Sequence, residues 1–258
     1  MDPIMDLNLW ITLCSVGFIA GLIDAIAGGG GMLTIPTLLT AGLPPHIALG
    51  TNKLAATFGS LTASVTFYRK KLFDPKFWRL SIIFTAIGAI VGTLVVSQMP
   101  VSFLDKALPV LIIITAIYTL LAKNVVITEA TLPERNQKLK VTQSIQGIVL
   151  GFYDGVAGPG TGAFWTASSS ALYKINILLS SGLARSGNFV SNFCSLLTFI
   201  YLGSVNALLG ISMGLFIMAG AWVGAHTAIK FGSRFIRPFF ITVVVIMSCN
   251  LAYQAWGN

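Results

Sequence analysis

Apolar residues run along this chain in long blocks with short polar breaks between them. They fall at about 8–27, 32–43, 46–68, 77–98 and 103–122, then at about 142–157, 162–174, 178–202, 205–229 and 234–256. A helix that crosses a bilayer needs about 20 such residues, and most blocks have that reach. The blocks at 32–43 and 162–174 do not. Each follows a glycine cluster, so each is expected to be a half-helix or a re-entrant piece. Pro36 sits inside the first, and Pro44 with Pro45 closes it.

The blocks occur in two similar sets. Gly17, Gly21, Asp24 and Gly28–Gly31 in the first set line up with Gly147, Gly151, Asp154 and Gly158–Gly162 in the second, 130 positions later. Both copies read GxxxG, an Asp three residues on, then Ala-Gly-x-Gly. Further landmarks follow in the same order: Ala48–Asn52 with Ala184–Asn188, Gly88/Gly92 with Gly220/Gly224, and Ser102–Leu104 with Arg234–Ile236. The chain therefore reads as a duplication, with a first repeat at 1–122, a linker at 123–141 and a second repeat at 142–258. GxxxG permits close helix approach, and consecutive glycines unwind a helix. Non-helical backbone at membrane depth persists only where protein buries it or a wet cavity solvates it. Paired interruptions in two halves mark where a transporter binds its cargo.

Charge sets the expected orientation. The 69–79 loop holds Arg69, Lys70, Lys71, Lys76 and Arg79, whereas its counterpart at 202–206 holds no charge. Conversely, the turn at 98–102 is uncharged and its counterpart at 230–237 carries Lys230, Arg234 and Arg237. By the positive-inside rule, loops 69–79, 123–140 and 230–237 are cytoplasmic and both termini lie outside. Equivalent loops on opposite sides define inverted-topology repeats. The fold expected is an all-α polytopic membrane protein, with five hydrophobic segments per repeat. That is about eight full spans plus the Gly-interrupted half-helices.

Composition narrows the function classes. With 55% hydrophobic and 9% charged residues, and a mean hydropathy of +0.84, the chain is far from the ~25% charged residues of soluble domains. The net charge of +8 sits in loops and gives no nucleic-acid face. Cys14, Cys194 and Cys249 each stand alone in an apolar block, so neither a metal site nor a disulfide framework is indicated. No cofactor motif and no nucleophile–base set appears, and no enzyme is expected. The first block lacks the basic flank of a cleaved signal peptide and is read as permanent.

Candidate chemistry lies at the duplicated breaks. Asp24 and Asp154 are carboxylates within spans, where an acid is costly and usually faces a cavity, a partner or a proton path. They are candidates for proton or ion coupling, or else accept hydrogen bonds from the broken helices or pair with cations. Gly28, Gly29, Gly30, Gly31, Gly158, Gly160, Thr161 and Gly162 would put free N–H groups and a positive dipole end at mid-membrane, which suits an anion. Asn52, Lys53, Arg185 and Asn188 form a third constellation. The two cations would clamp an oxyanion, pair with the aspartates, or snorkel to a surface. Thr51, Thr166 and Ser186 add hydroxyls, and Trp165 could wall the cavity. His226 and His46 are more often packing or boundary residues than proton relays.

These motifs together resemble the TauE/SafE family of sulfite-exporter-like permeases. The likeness rests on GxxxGxxDAxxGGGG with Leu33–Pro36, on Gly50–Lys53, and on Gly151 to Gly162, and it covers nearly the whole chain. The second half has no Lys after Asn188 and carries Arg185 instead. The resemblance implies a multi-pass permease of the cell (inner) membrane that moves a small anion, a sulfur oxyanion or organosulfonate. Transport by alternating access at a midplane site is the expectation, with an anion channel or a non-transporting scaffold or accessory subunit as alternatives. Partners would be the anion and lipid, with a homodimer open. An inside-negative potential is worth ~2.3 kcal/mol per charge per 100 mV. Anion efflux is thus electrically downhill, and uptake would need cations carried by Asp24 or Asp154.

Overall fold

The computed structural model describes residues 7–121 and 131–231, and every regular element among them is an α-helix. In order these are α1 (Leu7–Ala27), α2 (Gly31–Thr40), α3 (Pro45–Arg69), α4 (Arg79–Ser97), α5 (Val101–Leu121), α6 (Gln137–Val156), α7 (Thr161–Tyr173), α8 (Ile177–Tyr201) and α9 (Ala207–Phe231). The apolar block at 234–256, the linker residues 123–130 and Cys249 lie outside the described residues. Among the described residues three helices, α1, α4 and α9, are both long and apolar enough to cross a membrane. Helices α3 and α8 are as long as α9, at 25 residues each, but polar side chains interrupt them: α3 buries Thr51, Asn52, Lys53 and Ser60, and α8 buries Arg185, Ser186, Asn188, Ser191 and Asn192.

Local signals explain the boundaries. Pro45 does not close a helix, as the sequence suggested, but opens α3 in its first turn, where its missing N–H costs nothing and its fixed φ is already helical. Helix α6 begins at Gln137, inside the stretch read as linker, because the Asn136 side chain accepts the Leu139 N–H at 2.7 Å and caps it. Asn176 caps α8 in the same way through Leu179 N, at 2.9 Å.

The helices pack in a pattern that survives exchange of the two halves. α1 lies on α9 as α6 lies on α4, α3 crosses α8, and each short helix (α2, α7) leans on the long helix after it. Small-residue seams allow the closest of these approaches. A methyl group at Gly88 or Gly92 would collide with the Ile148 and Phe152 carbonyls of α6, and one at Gly220 or Gly224 with the Phe18 and Leu22 carbonyls of α1. The Gly88/Gly92 face, which the sequence left open to a dimer, is thus filled internally. Large apolar side chains such as Ile83, Ile87, Leu94, Leu215 and Trp222 point outward instead. That is the distribution expected where lipid, not water, is the solvent.

Gly88→Ala should therefore lower stability by about 1–3 kcal/mol through overpacking against backbone that cannot yield. Ile87→Ala, on the exposed side of the same helix, should stay within about 0.5 kcal/mol. Thermal unfolding of the detergent-purified variants checks the contrast.

Candidate functional site

Two interrupted helices meet in the middle of the bundle. α1 ends at Ala27, and the chain passes through Gly28 at φ +85° before α2 starts at Gly31. α6 ends at Val156, and Gly158 at φ +90° turns the chain toward α7 at Thr161. Both glycines hold left-handed backbone that other residues reach only at a cost of roughly 1–2 kcal/mol. The breaks also touch each other. Ala163 N–H donates to Gly28 O at 3.0 Å, and a side chain at Gly28 would run into the Gly162 backbone. The two loops cross backbone to backbone.

Each break is tied down by a cation from the other half. Lys53 of α3 donates from Nζ to the Asp154 carbonyl oxygen at 2.5 Å and to its Oδ1 at 2.8 Å. Arg185 of α8 donates from Nη1 to the Asp24 carbonyl oxygen. Both carbonyls belong to the last turn of a broken helix, where the dipole favours positive charge. Lys53 and Arg185 are each 1% exposed, so the two crossed contacts lie inside the protein.

The aspartates themselves differ. Asp154 Oδ1 also accepts from Thr161 Oγ1 at 3.2 Å, and its Oδ2 accepts from Ser191 Oγ. The Asp24 carboxylate accepts the Gly30 N–H at 3.0 Å, with Asn188 and Arg185 as further neighbours. Among the described residues the ion pair formed in the interior is Lys53–Asp154. Arg185 reaches a carbonyl rather than a carboxylate, and its Nε and Nη2 have no hydrogen-bond partner among those residues.

Between the breaks lies a cavity of about 30 Å³, room for a water or two. Of the residues singled out from sequence, Asp24, Gly30, Gly31, Asn52, Asp154, Gly158, Thr161, Gly162 and Asn188 line it. Gly28, Gly29, Lys53, Gly160 and Arg185 are not in its wall; the two cations stand behind it, holding the helix ends. Trp165 is fully buried away from the cavity, against Gly187 and a core with Trp78, Tyr173 and Leu183. Thr51 accepts the Asn206 N–H, Ser186 bonds Ser64, and Thr166 bonds the Gly162 carbonyl. His226 bonds the Trp222 carbonyl and His46 the Met99 carbonyl, both outside this wall.

The structure adds Thr34, Asn192, Ala20, Ala56 and Ile217 to the lining. Thr34 donates to Asn52 Oδ1 at 2.5 Å. Asn192 follows Asn188 by four positions and binds its carbonyl oxygen at 2.8 Å. That i,i+4 spacing places both on one helix face and was the signal available for Asn192. The wall thus combines amide, hydroxyl, peptide and carboxylate groups with the apolar Ala20, Ala56 and Ile217; it lies at the N-terminal ends of α2 and α7, where the Met32, Leu33, Thr34, Thr161, Ala163 and Phe164 N–H groups are bonded to carbonyls of the breaks.

Lys53→Met or Asp154→Asn alone should destabilise the fold by about 3–5 kcal/mol, because each strands a buried charge. The double substitution should recover most of that loss, as read by thermal unfolding in a double-mutant cycle.

The site can be set beside known proteins. The family model described as Sulfite exporter TauE/SafE matches residues 13–251. A "Probable membrane transporter protein" of Haemophilus influenzae is 36% identical over 261 residues, covering 99% of both chains. The "Probable membrane transporter protein ORF9" of a Sinorhizobium species is 37% identical over 248 residues, covering 95% of this chain and 92% of its own. The Escherichia coli "Probable membrane transporter protein YfcA" is 36% identical over 243 residues, covering 94% and 89%. No solved structure matches the chain. A match of this extent and identity places the protein, as a multi-pass membrane protein, in the TauE/SafE family of membrane transporters.

Proposed function

We propose that this protein is a permease for a small anion, a sulfur oxyanion or short organosulfonate. The anion would bind in the cavity between the two broken helices and cross by alternating access of the two repeats. The observation that carries the reading is the cavity itself. Two helix N-termini, Asn52, Asn188, Asn192, Thr34 and Thr161 converge on it, in a bundle whose outer faces are apolar. Converging N–H and amide donors suit oxygen atoms of an anion. The family's description as Sulfite exporter supports the sulfur chemistry.

An inverted repeat accounts for the packing. Exchanging α1–α4 with α6–α9 exchanges α1·α9 with α4·α6 and leaves α3·α8 in place, as a two-fold axis through the α3–α8 crossing would. Loop charge then sets 69–79, 123–140 and 230–237 on the cytoplasmic side of an inner membrane, with the termini outside. In the conformation described, the cavity has space for little beyond water, so the anion would enter when one half rocks away from the other. A channel would need a continuous wet path instead.

Reconstituted protein should give saturable flux of one or more of sulfite, sulfate, thiosulfate and methanesulfonate. Asn188→Ala should raise KM about tenfold, the effect of one hydrogen bond worth about 1.4 kcal/mol, with the fold intact by thermal unfolding. Absence of flux for all four anions with folded protein would reject the reading.

A further inference from the structure

We infer that anion binding is coupled to protonation of Asp24 alone, Asp154 being held at both carboxylate oxygens by Lys53, Thr161 and Ser191, so that one proton accompanies each anion. This rests on the transport reading above and separates two aspartates that the duplication makes equivalent.

Their surroundings decide between them. Asp154 is 1% exposed, and both of its carboxylate oxygens are taken: Oδ1 by Lys53 and Thr161, Oδ2 by Ser191. Protonating it would strand the Lys53 ammonium in the interior. Asp24 is partly open to the cavity, and no cation bonds its carboxylate among the described residues. Arg185 instead uses Nη1 on the Asp24 carbonyl oxygen. Protonation of Asp24 therefore breaks no hydrogen-bonded ion pair among the described residues; the negative charge that it removes from beside Arg185 is the one that the anion supplies.

The other elements around α1 leave Asp24 without a competing acid or base. α6 presents Asp154, and α3 presents Lys53, already engaged with it. α8 presents Arg185 and Asn188. α2 has no titratable side chain. In α7 the titratable residue is Tyr173, whose hydroxyl donates to Gln146. α9 carries His226 on the Trp222 carbonyl and Lys230 over Phe231. Tyr153 donates to the Pro159 carbonyl.

Charge balance then gives the coupling. The formal charges of Asp24, Asp154, Lys53 and Arg185 sum to zero. An anion entering this buried site leaves one uncompensated negative charge, which is costly away from water. A proton on Asp24 restores neutrality for a monovalent anion and replaces a repelling oxygen by a donor. It also frees the Arg185 field for the new charge. Two Arg185 N–H groups, on Nε and Nη2, lack a partner among the described residues; they stand behind the cavity wall, so in this conformation they act on the anion through charge and would meet its oxygens as a planar fork only once the halves rock apart. The ligand class is thus a monoanionic oxyanion taken with its proton. Movement of the pair is electroneutral, so the pH gradient, not the membrane potential, sets its direction.

The test uses full-length protein in proteoliposomes, with methanesulfonate, a monoanion, as probe and the potential clamped. A pH-sensitive dye should record one proton moving with each anion, and the anion should collect on the alkaline side. The apparent KM should fall about tenfold per unit decrease in pH above the Asp24 titration. Asp24→Asn should give a pH-flat KM and no accompanying proton, whereas Asp24→Glu should keep both signals. If sulfite alone is moved, the difference between wild type and Asp24→Asn removes the proton that the anion itself carries. Should Asp24→Asn fail to fold, the dye record on wild type decides. Saturable wild-type flux with a pH-flat KM and no proton would overturn this coupling and leave the transporter standing. No flux of any anion would overturn both.

Discussion

The architecture depends on a reciprocal tie between the halves: a cation from each reaches across to the carbonyl end of the broken helix of the other. Breaking a helix in a membrane frees peptide groups that lipid cannot satisfy, each at a cost of several kcal/mol. Lys53 and Arg185 take up carbonyl oxygens at those ends, while Asp24 and Thr161 take up groups at the starts of the helices that follow. The polar middles of α3 and α8 follow from this requirement. These two helices carry the side chains that make interruption possible, and the apolar α1, α4 and α9 shield them.

Much of this was legible in the sequence because it is local. Apolar blocks gave the helices, the glycine clusters gave the breaks, and the repeated GxxxG gave the faces that pack closely. Two boundaries were missed, at Pro45 and Gln137, because a proline and an asparagine act through where they stand relative to the first helical turn. The cations were harder. Lys53 and Arg185 were visible as intramembrane charges, and pairing with the aspartates was one of three fates considered for them. No spacing along a single strand of sequence says that each crosses to the opposite half, since that depends on how α3 meets α8. Thr34 and Asn192 enter the cavity for the same reason.

The two matching stretches of sequence are not chemically equal. Among the described residues Lys53 forms an ion pair and Arg185 does not; Asn192 faces the cavity where the first half has Ala56. A lysine ammonium is a compact point charge that can sit on a carboxylate and a carbonyl together. A guanidinium is a planar fork with five N–H donors, more than one carbonyl can use. That substitution alone gives one half a closed electrostatic contact and the other a surplus of donors.

The crossing of the two loops has a mechanical consequence. Because Gly28 and Gly162 touch through backbone, and Ala163 N–H holds the Gly28 carbonyl, the halves cannot be drawn straight apart without losing that bond. A rotation whose axis passes through the contact keeps it. In the alternating access proposed above, the contact would serve as a fulcrum: widening the gap above it would narrow the gap below, and both gaps could not open at once. Leak-tightness would then be a property of where two glycines meet, needing no separate gate.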